Sequence, residues 1–181
     1  FMVGDFRSAW DHYEYRWKVA SKSTKPLVSN RPEWQGEPDA RVLLWAEQGI
    51  GDEIMFMSVV PEIFSRSNEL IIQMDARLIT LFQRSFGDKI EMYSSTKVVD
   101  ESNYDFQISM GAALKFFRSK NSDFEEASYG YLKVDLKRVQ TISKTLCVSP
   151  KKLVGISWDS KNPKIGSMKY LIQRIDKLFL T

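Results

Sequence analysis

Apolar positions change their period along the chain, and each change marks an element. From Gly4 to Trp17, Phe6, Trp10, Tyr13 and Trp17 recur at steps of four, three and four, which is one face of a helix. Aromatics at this spacing are ordinarily packing residues, so the stripe predicts a helix that needs a surface to lie against, not a platform for stacking bases. Between Ser21 and Asp39 the chain turns polar, and Pro26, Pro32, Gly36 and Pro38 prevent a long helix or strand. This stretch reads as a linker, with Trp34 pinning it to the domain surface.

Arg41 to Ala46 is a near-continuous apolar run, the signature of a strand buried on both faces. A glycine-bearing turn, Glu47 to Glu53, leads into a helical stretch through Phe64, in which Pro61 predicts a kink or a break. The alternation then repeats. Strands are expected at 70–74, 90–93 and 104–108, and helices at 76–86 and 110–117. Arg118 to Ser128 is a polar loop, and after Tyr131-Leu132-Lys133-Val134, Asp135 is placed to cap a helix running to about Leu146. A last strand is expected at 153–158. Strands alternating with helices favour an α/β fold with a parallel sheet and right-handed crossovers.

Composition narrows the class. The chain has 181 residues, 43% hydrophobic and 27% charged, enough for a packed core and unlike a disordered segment. No apolar run reaches membrane-spanning length, and Phe1 to Gly4 is not followed by the apolar stretch of a secretory signal, so a cytoplasmic protein is expected. One cysteine, Cys147, and one histidine, His12, exclude an internal disulfide and a zinc site of the usual Cys/His kind. Neither residue has the context of a hydrolase triad; Cys147 lies in an apolar stretch and reads as a packed thiol. Charge is uneven: residues 137–181 hold 10 Lys/Arg against 2 Asp/Glu, whereas residues 1–136 hold 16 against 21. Such a basic tail suits phosphates or an acidic partner. Without interleaved aromatics it is poor support for nucleic-acid binding.

In open parallel sheets, ligands bind beyond the carboxyl ends of the strands, so the turn after the first strand is the leading candidate site. It reads Gly49-Ile50-Gly51-Asp52. The two glycines are read as permitting a sharp turn and close approach of a ligand, with Asp52 either capping the next helix or facing the cleft. Ile54 stands where a dinucleotide fingerprint needs its third glycine, and a Walker phosphate loop would need a Gly-Lys-Ser/Thr ending that is missing.

The block Leu43-Leu44-Trp45-Ala46-Glu47-Gln48-Gly49-Ile50-Gly51-Asp52 closely resembles the first strand and loop of bacterial glycosyltransferases of the heptosyltransferase-like family that are linked to tetratricopeptide repeats (TPR). Gly4 to Trp17 resembles their helical lead-in, Pro32 to Pro38 their P-x-W-x-G linker, and Gly130 to Asp135 their PYL-x-x-D segment. Val154 to Trp158 is similar to the strand that opens their second domain, and the likeness fades after Gly166.

The resemblance implies a GT-B architecture: two Rossmann-like halves facing a cleft, acceptor on the first and nucleotide-sugar on the second. On that reading residues 1–20 are a TPR-like helix, 21–40 a linker, 41–150 a Rossmann-like parallel sheet flanked by helices, and 151–181 the start of a truncated second domain. Asp52 becomes the general base of an inverting glycosyltransferase, and Gln48, Gly49, Ile50 and Gly51 line the acceptor. Ser157, Ser160, Lys161, Lys164 and Lys169 are available for the donor phosphates, so neither a metal nor a cofactor is called for. The implied partners are a nucleotide-sugar donor, a glycan or protein acceptor, and proteins held through the TPR-like helices. Half a cleft is expected to be inactive by itself, since transfer needs both substrates in reacting geometry. The alternative is a non-catalytic, TPR-associated scaffold that binds a glycan or a protein.

Overall fold

The computed structural model describes residues 3–18, 25–125 and 130–145. The chain divides into two compact units, Phe1–Asp135 and Leu136–Thr181.

The first unit opens with helix α1, Phe6–Tyr13, which continues as a 3-10 turn over Glu14–Lys18. Asp5 starts it by accepting the Ser8 amide at 3.1 Å. Its aromatic face is turned inward as the spacing predicts: Trp10 is buried in the main core, Tyr13 packs on that core, and Trp17 lies 5.7 Å from Trp45.

Four strands follow: β1 Arg41–Trp45, β2 Glu69–Met74, β3 Glu91–Ser94 and β4 Phe106–Ser109. They form one parallel sheet in the order β3-β2-β1-β4, with Leu44 beside Ile72 on one side and Ile108 on the other. Strand boundaries differ from the sequence reading by one or two residues, because pairing with neighbours rather than apolar content ends a strand. Between β1 and β2 lie α2 Ile50–Phe56, a 3-10 turn Met57–Val59, and α3 Val60–Arg66. The expected break is present one turn before Pro61, which sits in the first turn of α3. There its missing N–H costs nothing, and its ring would clash with a helix continuing from α2. Helix α4, Ala76–Phe86, has the predicted bounds and is capped by Asp75. After β4, the expected helix is shorter, α5 Met110–Ala113 followed by a 3-10 turn, and the polar loop holds one turn of helix, α6 Ser122–Glu125.

Alternation along the strands gives the sheet two buried faces. Val42, Leu44, Leu70, Ile72, Met74 and Ile108 join the large core with residues of α1 to α5. Leu43 and Ile71 point the other way and are covered by Leu27, Val99 and Tyr104 from connecting segments. The proline-bearing stretch 25–40 is more than a tether. Trp34 is fully buried, its amide donates to the Gln107 carbonyl at 2.9 Å, and Glu33 forms a parallel bridge to Gln107. The segment thereby covers part of the outer edge of β4, which would otherwise offer unpaired backbone.

In the second unit, α7 Leu136–Thr145 is described and carries Leu136, Val139 and Ile142 on one exposed face. Cys147 and the strand expected at 153–158 lie outside the described residues. No helix among the described residues is long and apolar enough to cross a membrane.

Glu53, on α2, is buried and accepts the Asp75 amide at 2.9 Å, tying α2 to the turn between β2 and α4. Burial raises its carboxyl above the ordinary 4.5, the bond from Asp75 opposing this in part. A carboxyl with a raised folded value favours the folded state most strongly below its ordinary range, and that contribution is lost as pH rises through the raised value. Glu53→Gln keeps the acceptor oxygen without the charge. Urea unfolding of both proteins at pH 4 and pH 7 is expected to shift the stability difference toward the Gln variant at pH 7.

Candidate functional site

The chain winds outward from β1 to β2 and β3, then returns to place β4 on the opposite side of β1. The carboxyl ends of β1 and β4 therefore border the switch point where α/β sheets open a crevice. Here the crevice is filled by the chain's own N-terminal segment. Glu47, just past β1, has a side chain only 1% exposed, and Arg16, from the 3-10 turn, 6%. The guanidinium reaches Glu47 Oε2 through Nη2 at 2.6 Å and Nε at 3.1 Å, and Nη2 also reaches Ser109 Oγ at the end of β4 at 2.9 Å. Its Nη1 donates to the Tyr13 carbonyl and to Glu14, both at 3.0 Å, and its plane lies over the Tyr13 and Trp17 rings.

Glu47 Oε1 accepts the Tyr13 hydroxyl at 2.9 Å, and that hydroxyl accepts Gln48 Nε2 at 2.6 Å. Burial, and then the neighbouring Glu47 charge, push the Tyr13 phenol well above its usual range, so it stays protonated and donates. Gly111, at the start of α5, is where this network meets the backbone. A Cβ there would stand 2.5 Å from the Tyr13 hydroxyl oxygen and overlap Glu47 Oε1. Only a residue without a side chain leaves room for the pair.

The glycine turn lies beside this lock. Gly49 caps α2 and Asp52, in the first turn, accepts the Gly49 amide on Oδ2 at 3.2 Å. The half-buried carboxylate also lines a cavity of about 610 Å3 together with Gln48. Among the described residues its Oδ1 accepts no hydrogen bond. The role expected of the glycines is corrected. Gly49 has an ordinary extended φ of −81°, and a Cβ on Gly51 would meet open space, so neither is demanded by the turn itself. Ile50 and Gly51 form the first turn of α2; Ile50 packs on the core, and neither residue is among those lining the cavity.

The opposite walls of the cavity come from α1, the 3-10 turn after α5, and Tyr131. Tyr131 donates to the Ile54 carbonyl, and burial pushes its phenol up to about 12. Arg118, also on the wall, is buried and bonded to Glu62 at 2.7 Å. Sequence reasoning brought forward Asp52 and Gln48, which the fold places together. It missed Arg16, Glu47, Tyr13 as a polar group, and Gly111, whose partners, apart from the Arg16 bonds to Glu14 and the Tyr13 carbonyl, lie 31 to 98 positions away, beyond any local pattern. Ser157, Ser160, Lys161, Lys164 and Lys169 lie outside the described residues. His12 is an exposed helix residue bonded to the Ser8 carbonyl, and no group of His, Cys, Asp and Glu able to hold a metal occurs among the described residues.

Comparison with known proteins is sparse. Protein FlbA of Caulobacter vibrioides is 25% identical over 177 residues, covering 87% of this chain and 29% of FlbA. The chain thus spans less than a third of that relative's length. No protein-family model matches the chain, and no solved structure does.

Removing one partner of a buried ion pair strands the other. Arg16→Met is expected to cost about 3–5 kcal/mol in chemical denaturation, and the double variant Arg16→Met, Glu47→Met to recover most of it. Gly111→Ala, which forces a methyl against Glu47 and Tyr13, is expected to cost about 1–3 kcal/mol by the same measurement. Gly51→Ala, which meets nothing, serves as the reference.

Proposed function

We propose that this chain is the acceptor-side half of an inverting glycosyltransferase, related to the TPR-linked heptosyltransferase-like family that its glycine turn resembles. The observation that carries the reading is Asp52: an acidic side chain in the turn after β1, on the wall of a cavity along α2, with one oxygen unengaged by the described residues. The parallel α/β sheet is compatible with one Rossmann-like half of a GT-B cleft.

In this mechanism the acceptor hydroxyl sits against Asp52 and Gln48. Its proton passes to an Asp52 carboxylate oxygen while the hydroxyl oxygen bonds to the anomeric carbon of the donor from the face opposite the leaving group. The anomeric carbon–oxygen bond to the nucleoside diphosphate breaks, and the configuration inverts. Ser157, Ser160, Lys161, Lys164 and Lys169 belong to the basic segment that neutralises the departing diphosphate, and α1 is the last helix of a TPR-like array through which protein partners bind. A nucleotide-sugar substrate points to the cytoplasm. A second reading, a scaffold that holds a glycan or a protein without turnover, is favoured by the bond from the Gly49 amide, which gives Asp52 a structural duty of its own.

Both are tested by turnover of nucleotide-sugars in a protein carrying both halves of the cleft. Asp52→Asn is expected to lower transfer by about 100-fold or more. Equal turnover in the two proteins removes Asp52 from the mechanism. Glycan or protein binding without turnover in either supports the scaffold.

A further inference from the structure

The cavity beside Asp52 has a one-sided chemistry. Phe6, Phe56, Leu114 and Phe124 offer no hydrogen-bonding group, and most polar atoms of the other large side chains on its walls are already engaged. Trp10 Nε1 donates to the Arg118 carbonyl at 2.6 Å, and the Tyr131 hydroxyl to the Ile54 carbonyl. The Tyr13 hydroxyl is held between Glu47 and Gln48, and Nη1 of Arg118 is held by Glu62 and the Phe117 carbonyl. Hydrogen-bonding capacity remains at Gln48, Asp52 and Ser58, on the side formed by the glycine turn and the helical run after it, and at Nε and Nη2 of Arg118.

A saccharide filling this space would turn hydroxyls toward the aromatic and aliphatic walls that cannot bond them, and each hydroxyl so placed would lose its water without replacement. An apolar body has no such loss, and a volume of about 610 Å3 is that of a small-molecule pocket. We infer that the cavity takes a small alcohol or phenol whose hydroxyl is carried on an apolar, aromatic-sized body, with the hydroxyl turned toward Asp52 and Gln48. This deepens the proposed function by naming the acceptor class, and the use of that hydroxyl as an acceptor rests on that reading.

Binding is measured by calorimetry on the chain itself, without donor, using biphenylmethanol and a methyl maltoside. Biphenylmethanol is expected to bind at least about tenfold more tightly than the maltoside. Met55→Glu and Phe124→Glu place a charge on the cavity wall at positions 57% and 37% exposed, where folding tolerates it. Each is expected to weaken biphenylmethanol by at least about tenfold. A smaller preference, no binding of either compound, or binding unchanged in both variants overturns the inference. Tight biphenylmethanol binding with no sugar transfer sinks the transferase reading alone, whereas transfer to saccharides without biphenylmethanol binding sinks this inference alone.

Discussion

The pair of Arg16 and Glu47 governs the architecture around the sheet's carboxyl edge. Two charges taken out of water are unfavourable unless their donors and acceptor oxygens are engaged, and here they are: both Glu47 oxygens accept, from Arg16 and Tyr13, while Arg16 also serves Ser109, Glu14 and the Tyr13 carbonyl. The bonds join the N-terminal helix, the turn after β1 and the end of β4, three segments with no local reason to meet. Their geometry explains Gly111, since the space a methyl would need belongs to the Glu47 carboxylate and the Tyr13 hydroxyl.

The same docking builds the cavity. Once the 3-10 turn is held at the switch point, α1 must lie across the large core, and Phe6, Trp10 and Tyr13 become one wall of the space beside the glycine turn. A crevice that in many α/β sheets stays open to a ligand is here occupied by the protein, and the open space is displaced along α2. Structural and chemical roles converge on Tyr13 and Gln48, which belong to the lock and to the cavity lining at once. The aromatic stripe that reads as packing is packing on one side and cavity surface on the other.

The elements were largely legible. Apolar runs at 42–44 and 70–72 mark strands because residues buried on both faces are predominantly apolar, and the period of α4 together with its Asp75 cap sets that helix. Asp52 could be picked out because it follows a strand and a glycine turn. The depth of Trp34 was understated, since a proline-bearing segment gives no periodicity from which burial follows; its place comes from an amide bonded to β4.

By itself, then, the sequence determined the alternation of strands and helices, the inward face of α1 and the position of an acidic residue after β1, all of which follow from side-chain period and backbone restriction over a few residues. Tertiary structure alone decided that Arg16 and Glu47 meet, that Gly111 must lack a side chain, and that the walls facing Asp52 are mostly aromatic and aliphatic. Those facts depend on groups far apart in the chain sharing one desolvated volume, and a charge in a sequence does not reveal which opposite charge will follow it out of water.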